Sequence, residues 1–133
     1  MERFRREMRI FVLEDDPMRI KAIWEAGIGQ DLTVAKSCEE AKRKWQGPYD
    51  LVLLDHDLGG EVFADSSKDN TGAGFARWLV ESDKEPGVGV IHSYNPVGAK
   101  AMGEILNSNG WKMVRVPFGP TLLEFVKVKG GEV

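Results

Sequence analysis

Three short polar clusters, each directly after an apolar run, hold the residues of this chain that can do chemistry. Asp55-His56-Asp57 follows Leu51–Leu54, Glu14-Asp15-Asp16 follows Met8–Leu13, and His92-Ser93-Tyr94-Asn95 follows Val88–Ile91. Carboxylates gathered at one place repel unless a cation or shared protons relieve them. Oxygen-rich donors favour Mg²⁺, Mn²⁺ or Ca²⁺, and the expected ligands are Asp15, Asp16 and Asp55. One cysteine and two histidines are too few for a structural zinc site. His56 stands between two carboxylates that favour its charged form, which suits a general acid with His92 as the matching base, and the two roles could equally be exchanged. With Asp55 and Asp57 they make a catalytic set for metal-assisted cleavage of a phosphodiester, one imidazole taking a proton from water and the other supplying one to the leaving oxygen. Ser93 and Asn95 can donate to phosphate, the helix start at Pro96 is a ready anion site, and Arg19 can reach the same edge. Each has a blander reading: an acid after a strand is often a helix cap, a histidine ending an apolar strand is often structural, and an arginine is often solvated.

The elements that must position these groups alternate strictly. Strands are predicted at Met8–Leu13, Leu32–Ala35, Leu51–Leu54, Val88–Ile91 and Lys112–Val116. Asp16 before Pro17 opens a helix that Gly27 stops. Ser37 with Glu40 forms a capping box for a helix ending near Gly47-Pro48. Another helix spans Thr71–Glu81, with Phe75, Trp78 and Leu79 inward. Asn95 caps a helix that Asn109-Gly110 closes. Thr121 with Glu124 caps a final short helix, and Lys127 onward reads as a tail. The polar stretch 59–70 is long for a strand-to-helix connection, and such loops are often functional. The four tryptophans fall at positions expected for core.

Five strand–helix alternations argue an α/β fold, a three-layer sandwich around a parallel sheet of flavodoxin-like order 2-1-3-4-5. That order brings the three polar clusters to one sheet edge, where α/β proteins bind ligands. The chain of 133 residues, 42% hydrophobic and 29% charged, reads as one domain, 1–133, with 1–7 and 128–133 frayed. A net charge of −3 gives no reason to expect extended nucleic acid or an anionic membrane as partner. The lone Cys38, the missing signal-peptide apolar region and the absence of a span-length apolar run lead to the expectation of a cytoplasmic protein.

The strand order with Asp15-Asp16 and Asp55 resembles the receiver domain of response regulators, where the matching aspartate accepts a phosphoryl group over Mg²⁺ and Ser93 falls where a Ser or Thr contacts it. Receivers end the fifth strand in a lysine before proline; here Val116 precedes Pro117, and Arg115 is expected on the other face. LEDDPMR (13–19), LLDHDLGG (53–60), TGAGFARWL (71–79) and VIHSYNPVGAKAM (90–102) together are similar to the cyclic-phosphate processing receiver-like family. That resemblance implies a metal-dependent phosphoesterase of a phosphodiesterase type, acting on a cyclic phosphate of a nucleotide or nucleotide derivative. It carries Asp15, Asp16, Asp55, His56, Asp57, His92, Ser93, Asn95 and Arg19 into the site. Two other readings stand beside it: a receiver phosphorylated on Asp55, and an inactive module that only binds a nucleotide or partner.

Overall fold

The computed structural model describes residues 7–60 and 63–131. The elements run β1 (Arg9–Leu13), α1 (Pro17–Ala26), β2 (Asp31–Ala35), α2 (Cys38–Lys44), β3 (Leu51–Leu54), α3 (Gly72–Glu81), β4 (Val88–Ile91), α4 (Pro96–Asn107), β5 (Lys112–Arg115) and α5 (Pro120–Gly131). All strand pairs are parallel and the sheet order is β2-β1-β3-β4-β5, as the alternation of elements required.

The two-residue period of the strands divides the core. Ile10, Val12, Leu51, Leu53 and Val90 face Ile23 of α1 and Leu122 and Val126 of α5. The intervening residues Phe11, Leu13, Val52, Leu54 and Ile91 face the layer of α2, α3 and α4, where Phe75, Met102 and Leu106 are buried. Phe11 anchors that side, its ring centroid 4.9 Å from Trp45, 5.2 Å from Tyr49 and 5.8 Å from Phe75. Trp111 is buried there and Trp45 and Trp78 partly so, whereas Trp24 is exposed on α1. Gly89 lets β4 lie close against β3, since a Cβ there would fall 2.1 Å from the Val52 carbonyl oxygen.

The helix starts follow local chemistry. Asp16, Ser37, Thr71 and Asn95 each have extended backbone and accept an N–H of the following turn, satisfying donors that the helix leaves unpaired. Glu40 reaches back to Lys36 N, so the capping box closes one residue before the cap itself. The sequence reading needs correction at the C-terminus. Helix α5 starts at Pro120 and continues to Gly131, so residues 128–131 are helical rather than tail. Leu122 and Val126, four apart, are both buried, and an established helix extends at one hydrogen bond per residue. Residues 1–6 and 132–133, expected to be frayed, lie outside the described residues.

Leu53 is fully buried at the centre of the sheet. Leu53→Ala should cost about 2–5 kcal/mol, read as a lower urea midpoint at constant m. A loss under about 1 kcal/mol would mean that β3 is not the centre of the core.

Candidate functional site

The register of three adjacent strands builds the site. Leu13, Leu54 and Ile91 are aligned partners across β1, β3 and β4, and all three face the α2–α4 layer. The residues one step further, Glu14, Asp55 and His92, therefore stand side by side and turn to the opposite face, toward α1 and α5. They are buried, and one donor atom from each lies within 4.8 Å of the other two. Among the described residues this is the group of side chains that could share a metal ion. The sequence places Glu14 in the acidic cluster without marking it as a ligand; the signal for that role is its parity with Asp55, each one residue beyond its strand.

Every oxygen of Glu14 is held. Oε1 is 2.9 Å from His92 Nε2 and 3.6 Å from Arg19 Nη1, and Oε2 accepts the N–H groups of Asp15 and Asp16, each at 3.0 Å. Burial works to raise the Glu14 carboxyl, but the hydrogen bond and charge of His92, with the Asp16 N–H and Arg19, bring it below its usual range. Asp55 goes the other way. Burial, with the Glu14 charge added, pushes it up to about 6, against the opposing pull of His92, the His56 N–H and Arg19. Its Oδ1 accepts the His56 N–H at 2.9 Å, and among the described residues its other oxygen accepts no hydrogen bond.

Asp55 lines a pocket of about 280 Å³ together with Glu14, Asp57, Arg19, Ser93 and Tyr94. Arg19 is held as a plane: its guanidinium lies 4.8 Å from the Tyr94 ring centroid and 5.3 Å from that of Phe118. Among the described residues its side chain makes no hydrogen bond, only the ionic contact to Glu14. Ser93 is buried and its Oγ accepts the Asn95 N–H, leaving the hydroxyl proton to give. Tyr94, which the sequence reading left unassigned, fixes its ring by donating its hydroxyl to the Phe118 carbonyl.

Several expected placements are corrected. Asp16 and Asp15 line the mouth of the pocket, but Asp16 caps α1 and Asp15 accepts the N–H groups of Gly59 at 2.7 Å and Gly60 at 3.3 Å. They lie outside the cluster in which Asp55 is grouped with Glu14 and His92. The two imidazoles do not flank one phosphate. The same alternation that turns His92 toward α1 turns His56 to the α4 face, where a Cβ on Gly98 would fall 2.4 Å from its ring. Asn95 is used internally, Oδ1 capping α4 and Nδ2 donating to Asp57 Oδ1 at 3.1 Å. That cap fills the α4 N-terminus expected to bind an anion. Arg115 sits beyond Met113 on the α4 side and donates to the Ser93 carbonyl, so it brings no charge into the pocket. Burial would raise the Asp57 carboxyl, but bonds from His56, Asn95, Phe63 and Ala64 hold it below its usual range.

The donor set suits a divalent cation. The two buried carboxylates have oxygens within 4.8 Å of each other, burial and the Glu14 charge push Asp55 up, and among the described residues His92 Nδ1 is buried without a hydrogen-bond partner. Two oxygens and one imidazole fit Mn²⁺ or Mg²⁺ in the first case and Mn²⁺ better once nitrogen is included.

The family model described as the cyclic-phosphate processing Receiver domain matches residues 8–108. The chain belongs to this family. Solved structures with the same fold include a response regulator from Colwellia psychrerythraea, at TM-score 0.66 and 18% identity over 92% of this chain and 96% of that one. The phosphorylated cyanobacterial phytochrome response regulator RcpA matches at TM-score 0.64 and 18% identity, over 93% and 91% of the two chains. The Mn²⁺-bound form of response regulator Rcp1 matches at TM-score 0.57 and 17% identity, over 91% and 90%. No curated protein matches the chain. This is a receiver-like domain of the response-regulator type, and among the described residues no helix is long and apolar enough to cross a membrane.

Raising Asp55 above its ordinary value of 3.8 to about 6 has a definite sign. Between those values the folded chain binds more protons than the unfolded one, so Asp55 takes stability away as pH rises through the window. Without metal, Asp55→Asn should be more stable than the parent at pH 7 by up to about 3 kcal/mol, a gain that fades below about pH 4. Urea unfolding in chelator at both pH values measures this, and equal stability at pH 7 would contradict the crowding of charge.

Proposed function

We propose that this domain is a metal-dependent phosphoesterase that opens a cyclic phosphate, with a nucleotide or nucleotide derivative as the ester. One observation carries the reading: an Asp55 carboxylate oxygen and an arginine fork, neither hydrogen-bonded among the described residues, line the same pocket. Both ask for an anionic ligand bridged by a cation. The family description supplies the class of phosphate.

Glu14, Asp55 and His92 would hold a divalent cation, which would supply Lewis acidity toward a phosphoryl oxygen. Arg19, its guanidinium oriented by the Tyr94 and Phe118 rings, binds the two exposed oxygens of the phosphate through its paired N–H groups. The Ser93 hydroxyl donates to one of them. Asp55 takes the proton of the attacking water, the new P–O bond forms as the ring P–O bond breaks, and the proton passes to the leaving oxygen. His92 keeps Glu14 ionised and oriented from behind, and Glu14 in turn tethers Arg19.

The second reading, phosphorylation of Asp55 itself, is favoured by the same oxygen at the end of β3. Against it stands Val116, which packs into the α1–α5 side of the core where a cation would offset an acyl phosphate. Incubation with 2′,3′-cyclic nucleotides and Mn²⁺ separates the two. We expect multiple turnover, lost in Asp55→Asn and reduced roughly 10- to 100-fold in Arg19→Met, as for removal of a charged hydrogen bond. No turnover by the parent, together with a stable acyl phosphate formed from acetyl phosphate and absent in Asp55→Asn, would replace this reading with the second.

A further inference from the structure

His56 is fully buried and faces away from the pocket, yet each of its ring nitrogens is engaged. Nδ1 is 2.8 Å from Asp57 Oδ1 and Nε2 is 2.9 Å from Ser66 Oγ. Asp57 is itself a junction, accepting Asn95 Nδ2 and Ala64 N at Oδ1 and Phe63 N at Oδ2, at 3.1, 3.1 and 2.7 Å. Directly and through Asp57, one imidazole ties the end of β3 to residues 63, 64 and 66 in the middle of the loop before α3 and to the cap of α4. Packing reinforces the bonds. Gly98 of α4 lies so close that any side chain there would meet the ring, and Gly72 N at the start of α3 donates to the His56 carbonyl. The elements joined here carry three parts of the pocket wall: Asp57, Gly60 and the Ser93-Tyr94 pair that leads into α4.

We infer that His56 is a positioning residue, a pin that holds residues 63–66 beside Asp57 and the α4 cap and so keeps the pocket wall assembled. This goes beyond the phosphoesterase reading and does not need it, because the pin holds the wall whichever phosphate chemistry takes place there. Losing the ring leaves Asp57 short of a donor and Ser66 without its partner, so the loop should open locally while the sheet stays folded. A catalytic imidazole behaves differently: its loss lowers the rate and leaves the loop closed.

Amide hydrogen exchange on the full chain, paired with turnover, decides between them. In Ser66→Ala, which keeps the imidazole and cuts one of its ties, we expect the amides of 66–68 to exchange at least tenfold faster, with 63, 64 and β4 unchanged. In His56→Ala both sets of loop amides should open, with KM for the cyclic nucleotide raised at least tenfold and kcat within a few fold. His56→Asn, which places an N–H near the Nδ1 position, should restore protection at 63 and 64 and not at 66. Unchanged exchange in both Ser66→Ala and His56→Asn would overturn the pin, and so would a fall in kcat with KM and exchange unchanged. The exchange result stands even if the parent turns over no cyclic phosphate, an outcome that would sink only the phosphoesterase reading. Ser66→Ala and His56→Asn decide the matter if His56→Ala does not fold.

Discussion

Glu14, Asp55 and His92 are forced into one buried row by the register of β1, β3 and β4, and the surrounding structure answers to that row. Two carboxylates out of water and beside each other are costly unless cations and N–H groups meet them. His92 behind Glu14, two backbone N–H groups beneath it and Arg19 above it form that response, which leaves Glu14 an anchored anion. Asp55, which burial and the Glu14 charge push up, is met by one N–H among the described residues and lines the pocket. The position of Arg19 follows as well: it sits on α1 because the capped turn at Asp16 starts that helix at the edge of the row, and two aromatic rings then fix its plane.

The sheet separates chemistry from support. The α1–α5 face at the C-terminal edge presents the row and the arginine, while the α2–α4 face carries the buried junction of His56, Asp57, Ser66 and Asn95. The two sides meet at Asp57, whose carboxylate takes the bonds of the junction and also lines the pocket, and where Ser93 accepts the Asn95 N–H. Glycines allow this closeness. Gly72 lies against the backbone of Asp55 and His56, and Gly98 against the His56 ring, where a Cβ would not fit. The DHDL and NPVG stretches therefore serve the geometry as much as the reaction.

The sheet order, the strand positions and the caps at Asp16, Ser37 and Asn95 were legible because each rests on local pattern: apolar runs of strand length and short polar side chains before helical spacing. The convergence of the three clusters followed from topology alone. What was not legible depended on register and on which way a side chain turns. Asp15 and Asp16 looked like ligands because they form an acidic pair, yet backbone N–H groups claim both. Glu14 looked like part of the strand end, and parity with Asp55 makes it the partner. His56 looked catalytic from its charged neighbours, but the pleat sends it to the other face, where Ser66, ten residues away, meets it. The length of α5 depended on burial of Val126 against the sheet, a tertiary contact that the glycines near the end of the chain gave no sign of.

The central claim is that the row of Glu14, Asp55 and His92, and not the neighbouring aspartates, is the cation site. Anomalous diffraction from crystals soaked in Mn²⁺ tests it most directly. The account predicts one peak at coordination distance, about 2.0–2.6 Å, from carboxylate oxygens of both Glu14 and Asp55. A peak centred on Asp15 and Asp16 with the Glu14–His92 hydrogen bond left intact, or no peak at millimolar Mn²⁺, would contradict it.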